Sequence, residues 1–360
     1  MNKHPDIERI CAAAERDGRC LIAAEAHNWH SIGIRVEHGE LVRPHHGLYA
    51  RAAYWNGLDP KERTRHVIRA LSRQRPERVF AGVSAAAILH LEYGWNLHAD
   101  GTIVIAAPTG RSARSRDRMR HIIMRHPPVV ITARYRLRDG GLKTRLLPDG
   151  ADCTGAVDAV RITSPARTLV DCALALPFEQ AMPMFDSALR RNLVERKQII
   201  EVCDDMRTDC GTVLRLLHYT NPLNENGGES TCYATVIDEG FAVPELQHVF
   251  LDPDNPSQRY RADFIWHTPD GRVIVLEYDG ARKYVDPAMT GGRTIRGVVQ
   301  DERARQDALL RAGVTTVIRT DWEEVRQRIP LIRKLTDAGV PMRVADPRRE
   351  RPTDVAGLVW

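Results

Sequence analysis

The run RYRADFIWHTPDGRVIVLEYDGARKY, residues 259–284, restricts the fold more than any other stretch of the chain. Two segments rich in β-branched and aromatic residues flank a Pro-Asp-Gly turn, so the run reads as a hairpin. Asp263 falls near the middle of the first strand, and Glu277 and Asp279 close the second. Acidic residues are poor strand formers, and a carboxylate without a partner is costly to bury. Positions i and i+2 share a strand face, so Glu277 and Asp279 point the same way. Pairing of the two strands brings Asp263 beside Glu277. Carboxylates that close repel and raise one another's pKa, and a bound divalent cation relieves the conflict. Mg²⁺ favours oxygen ligands, typically one or two carboxylates with waters and a substrate phosphate. Asp263, Glu277 and Asp279 are therefore expected as ligands of Mg²⁺ or Mn²⁺, with Glu229 reaching them from the start of the preceding helix. Ordinary alternatives stand beside this. Asp279-Gly280 is a common turn signal, Glu277 can sit on an exposed strand end, and Asp263 can pair with Arg261 or Arg305.

With 360 residues the chain is long enough for two or three domains. Residues 1–55 read as three short helices and a hairpin. Ile7, Ile10, Cys11 and Ala14 recur at helical spacing; LIAAEAHNW (21–29) is expected as a second helix and SIGIRVEHG (31–39) as a third, with Ser31 as N-cap. ELVRPHHGLYA (40–50) then alternates around a Pro-His-His-Gly turn. Three helices and a two-stranded wing are the parts of a winged helix-turn-helix, in which the third helix enters the major groove of DNA. Arg35, His38 and Arg43 would lie on or near that face; the alternative is a small helical cap without DNA contact. Residues 56–220 form a mixed α/β middle in which Ser164 and Pro165 open a helix. Asp171, inside that otherwise apolar helix, reads as a polar contact between domains. NPLNENGG (221–228) is dense in turn formers and reads as a linker. Residues 229–338 follow the order αβββαβ, and 339–360 form a basic tail. The class is α/β in the multidomain α+β sense, with a mixed sheet in the last domain.

Arginine is unevenly spread. RSARSRDRMRH (111–121), RYRLRDGGLKTR (134–145) and RVADPRRERP (343–352) are solvated surface or a nucleic-acid face. The seven cysteines are scattered, with no CxxC pair and no zinc-like Cys/His spacing, which suits reduced thiols in the cytoplasm. No signal-type apolar core opens the chain, and no run of about 18 apolar residues is present to span a membrane. No membrane association is expected.

GGES (227–230), RADFIW (261–266), LEYDGARKY (276–284) and DERARQDALLRAGVTTVIRTDW (301–322) together resemble the endonuclease-like domain related to very-short-patch repair enzymes, within the PD-(D/E)xK nuclease superfamily. The resemblance spans about residues 227–328. It implies that Glu229, Asp263 and Glu277 are the site acids and that Asp279 stands where the catalytic lysine belongs. Lys283, four residues on, would then approach the site from a loop, and Arg305 would contact the acids or a phosphate. GELVRPHHGLYA (39–50) resembles the wing, and ITSPARTLVDCA (162–173) the downstream segment, of AbiEi-type antitoxins of type IV toxin–antitoxin systems. That likeness implies DNA binding by the winged helix and a cognate toxin as partner. The combined expectation is a cytoplasmic, bacterial, metal-dependent endodeoxyribonuclease-like protein; the alternative is a non-catalytic transcriptional regulator or antitoxin.

Overall fold

The computed structural model describes residues 5–25, 29–109, 118–255, 257–280 and 295–343. The chain is mixed α/β and divides into two compact units, 1–220 and 221–360. No helix among the described residues is long and apolar enough to cross a membrane.

The first unit begins with α1 (Pro5–Arg16), β1 (Leu21–Ile22), α2 (Trp29–Glu37), β2 (Leu41–His45) and β3 (Leu48–Arg51). The expected second helix is instead a two-residue strand followed by a single 3₁₀ turn, Ala23–Glu25. Leu21 pairs with Tyr49 and Ile22 with Leu48, giving a sheet ordered β1-β3-β2. A short apolar run cannot be assigned to helix or strand by periodicity alone, and here the long-range pairing decides. Ser31 lies inside α2 rather than capping it. Gly39, at φ +72°, ends that helix: its N–H donates to Val36 O, and Glu40 N–H donates to Arg35 O, the left-handed closure that glycine permits most cheaply. Ile7, Cys11, Ala14, Leu21, Ile32 and Leu41 make the small core of this segment.

The same unit continues through α3 (Ala52–Asn56), α4 (Pro60–Gln74), β4 (Val79–Phe80), α5 (Gly82–Ile88), β5 (Ile103–Ala107), β6 (Met119–Ile123), β7 (Val129–Arg136), β8 (Leu142–Pro148) and β9 (Asp158–Thr163). Four helices follow: α6 (Pro165–Ala175), α7 (Phe178–Arg190), α8 (Arg196–Asp204) and α9 (Gly211–Tyr219). The strands form one mixed sheet, β6-β5-β4-β9-β7-β8. Asp59 caps α4 by accepting from Glu62 N–H, and Ser164 caps α6 by accepting from Arg167 N–H, each satisfying a donor the helix leaves orphaned. Asp171 is buried, but its partner is Arg167, one turn back on its own helix at 2.8 Å. It contributes an intrahelical pair, not the contact between domains expected of it.

In the second unit α10 (Gly227–Asp238) precedes β10 (Glu245–Leu251), β11 (Arg259–His267) and β12 (Val273–Asp279). Then come α11 (Ile295–Arg311), β13 (Thr316–Asp321), α12 (Trp322–Gln327) and α13 (Ile329–Asp337). The sheet runs β10-β11-β12-β13, antiparallel except for the parallel pair β12–β13. That parallel step needs a crossover, which α11 supplies. Phe250, Ala262, Ile265, Val275, Leu309 and Val314 form the core between the sheet and α11. The stretch 221–228 is part of this unit rather than a free linker. Asn226 caps α10 by accepting from Gly228 and Glu229 N–H, and Glu225 pairs with Arg261 at 2.7 Å.

Candidate active site

The site is built where the β11–β12 hairpin opens. The ladder pairs Phe264 with Leu276 as its last rung, and the next positions in that register are Asp263 and Glu277. There Tyr278 N–H donates to Asp263 Oδ2 at 2.9 Å. The side chain thus takes a donor that strand pairing leaves over, as buried main-chain groups require.

Glu277 is buried, with 9% exposure. Arg305, from α11, donates from Nη2 to both of its carboxylate oxygens, at 2.8 and 2.9 Å, and to Arg261 O at 2.5 Å. Burial pushes the Glu277 carboxyl above its ordinary range, Arg305 opposes that rise, and the charge of Asp263 adds to it.

Glu229 stands in the first turn of α10 and is equally sheltered. It accepts from Glu225 N–H at 2.8 Å, Asn226 Nδ2 at 2.5 Å and Gln247 Nε2 at 3.2 Å. Burial raises its pKa to about 7, the Glu225 N–H opposes the rise, and the charge of Asp263 adds to it. Asp263 therefore acts on both Glu229 and Glu277, tying helix and hairpin into one electrostatic cluster. The helix can approach this closely because residue 228 is glycine: a Cβ there would lie 2.5 Å from the ring of Tyr278.

Asp279 lies beside a second cation. Its Oδ2 lies 3.6 Å from Arg319 Nη1, and Arg319 is the β13 residue in register with Glu277. Among the described residues no three His, Cys, Asp or Glu side chains close on a common point at metal-ligating spacing. Asp263 and Glu277, opposed across the hairpin, remain as the pair whose all-oxygen chemistry fits a hard divalent cation. The guanidinium of Arg305 supplies positive charge at Glu277 in this arrangement. Lys283 lies outside the described residues.

Sequence reasoning missed two contributors. Arg319 was hidden because nothing local reveals which strand lies beside β12. Gln247, at φ +57°, occupies the break in the β10–β11 ladder between the pairs Leu246–Phe264 and His248–Ala262, opposite Asp263. A non-glycine residue in the left-handed region is uncommon enough to mark a constrained position, but its dihedral cannot be read from a glutamine in a strand pattern.

In the first unit Arg35 is turned inward, with 5% exposure, pairing with Glu8 at 2.9 Å and Glu40 at 3.6 Å. Its donors fasten α2 to α1 instead of facing outward, against the expectation for a groove-contacting residue. His38 and Arg43 are exposed, His38 beside Ile34 O at 2.8 Å and Arg43 on β2. Against known proteins, no family model, curated protein or solved structure matches this chain.

Proposed function

We propose that the second unit is a divalent-cation-dependent endodeoxyribonuclease-type domain acting on DNA phosphodiesters, and that the winged segment of the first unit contacts the DNA through His38 and Arg43. The observation that carries this reading is the opposed pair Asp263 and Glu277 at the open end of a hairpin, electrostatically linked to Glu229. Asp263 and Glu277 would hold Mg²⁺ or Mn²⁺. When bound, such an ion activates water and stabilises a leaving oxygen.

The chain's own residues supply the rest. Arg305, released from Glu277, is placed to take a phosphate oxygen, for which a guanidinium fork is suited. Glu229, with a pKa of about 7, can carry or release a proton at its carboxylate near neutral pH. That property offers a proton handler in a site where Asp279 replaces the expected lysine. Seven unbonded cysteines are compatible with action in the cytoplasm.

The test is plasmid nicking with Mg²⁺ or Mn²⁺ by the full chain, beside an Asp263→Asn/Glu277→Gln variant and an EDTA control. Metal-dependent nicking by the unaltered chain alone is the expected result. Equal nicking by the variant would trace the activity to a contaminant and end this reading.

A second reading is favoured by one observation: Glu277 already has its positive partner in Arg305, and Asp279 its own in Arg319. On that reading the second unit is a non-catalytic platform, and the protein is a transcriptional regulator or antitoxin with a cognate toxin. It predicts sequence-selective duplex binding without nicking, weakened by His38→Ala/Arg43→Ala and steeply salt-dependent.

A further inference from the structure

The Arg-rich stretch 134–145 lies in neither of these places, and the fold gives it a definite form. It is the tip of the β7–β8 hairpin, paired in register from Val130–Pro148 to Arg136–Leu142. β9 accompanies β7 only as far as Arg134, which pairs with Asp158. Beyond that point the two strands continue alone as a ribbon past the end of the sheet. Every residue from 136 to 146 is exposed. The turn is well formed: Leu137 N–H donates to Gly141 O, Gly140 N–H to Leu137 O, and Gly141 N–H to Asp139 Oδ1. The ribbon is also anchored at its base. Arg134 pairs with Asp158 and donates to Asp17 O, while Arg136 reaches Asp17 Oδ1 at 3.0 Å.

Its outer charges are less committed. Arg138 and Lys143 make no ion pair among the described residues, and Arg145 stacks over the Tyr135 ring at 5.3 Å. Cross-strand register places Tyr135 opposite Lys143 and Ala133 opposite Arg145, so Tyr135, Lys143 and Arg145 share one face. Leu142 and Leu146 alternate onto the other. The only carboxylate of the tip, Asp139, is engaged by the turn.

We infer that this ribbon is a second DNA-contacting element, whose Arg138, Lys143 and Arg145 engage the phosphate backbone of a duplex. A two-stranded β-ribbon is narrow enough for the major groove, and three cations with one engaged acid complement a polyanion. The inference shares with the proposed function only that DNA is the ligand, and it requires no chemistry at Asp263 or Glu277. The competing explanation is that these charges merely guard β8, an edge strand, against pairing with another molecule.

Fluorescence anisotropy of the full chain on a labelled duplex, across a salt series, tests the inference. The Arg138→Ala/Lys143→Ala/Arg145→Ala variant should bind roughly tenfold or more weakly at low salt, and its log–log salt slope should fall by about 2–3, near 0.9 for each phosphate no longer neutralised. Arg138→Lys/Arg145→Lys, which keeps the charge, should retain most of the affinity. Unchanged affinity and slope in the triple variant, while the unaltered chain binds and His38→Ala/Arg43→Ala weakens it, would overturn the ribbon and leave the winged segment standing. Self-association of the triple variant on size exclusion, with duplex affinity unchanged, would assign the charges to edge protection. Tighter binding of polyglutamate than of duplex would move the partner to an acidic protein, and absence of duplex binding by the unaltered chain would remove both DNA elements. Nicking is scored separately, so its failure does not touch the ribbon.

Discussion

Removing Arg305 should expose how the acid cluster is held together. In Arg305→Ala, Glu277, 9% exposed in the unaltered chain, loses the guanidinium bonded to both of its oxygens. Breaking a fully buried pair from one side costs about 3–5 kcal/mol. The Arg305 side chain is 36% exposed, so water screens part of that loss, and about 1–2 kcal/mol is the appropriate scale. For a unit of this size that corresponds to a drop in Tm of roughly 4–8 °C. The sign of the pH dependence is fixed by Glu277, whose folded-state pKa is raised. Such a group favours the folded state at pH below its unfolded value, and that contribution is lost as pH rises through the folded value. Without Arg305 the rise is opposed only by the lesser effect of Arg319, so the deficit should be largest above the carboxylate range and shrink on acidification. Urea denaturation at pH 5 and pH 8 measures this, and Arg305→Ala/Glu277→Gln should recover most of the loss at pH 8. Equal deficits at the two pH values, or no recovery in the double variant, would refute the reasoning.

Other outcomes follow from the same geometry. Glu229→Gln should flatten the pH dependence of the second unit: raising a carboxyl from 4.5 to about 7 withdraws at most roughly 3 kcal/mol of stability as pH climbs through that range, and urea midpoints at pH 5 and 8 would lose that difference. Gly228→Ala should destabilise by about 1–3 kcal/mol, because its methyl group meets the Tyr278 ring at 2.5 Å, and Gly228→Ala/Tyr278→Ala should lose less than the two single changes summed. Arg35→Ala should destabilise the first unit by about 1–2 kcal/mol through loss of the Glu8 and Glu40 pairs, read as a lowered Tm. Arg43→Ala, at an exposed position of β2, should stay within about 0.5 kcal/mol.

Much of the second unit was legible from local pattern. The Pro-Asp-Gly turn, the alternation on either side of it and the helical spacing after residue 300 give the order of elements. Hairpin register also places Asp263 toward Glu277, because antiparallel neighbours across a short turn leave little choice. What escaped was information held by partners distant in sequence. Leu21 and Ile22 become a strand only through Tyr49 and Leu48. Arg35 turns inward because Glu8, 27 residues away, is there to receive it. Asn226 looks like a linker residue until α10 begins behind it, since the residues that make turns also cap helices. The β7–β8 ribbon was obscured for a different reason: its charges suggested surface, which is correct, but concealed the alternation that makes it a hairpin.

The bond from Tyr278 N–H to Asp263 changes how that aspartate should be judged. It serves the backbone as well as the charge cluster, so its removal orphans a main-chain donor even where no reaction takes place. An isosteric Asp263→Asn variant, which keeps an oxygen at that position, separates the two duties; Asp263→Ala confounds them. The same double duty would act during divergence. A lineage without hydrolysis would still be under pressure to keep an acceptor at this position, and to keep Arg305 as the partner of buried Glu277. An aspartate here therefore reports that the hairpin needs finishing, and is not by itself a sign of a reaction.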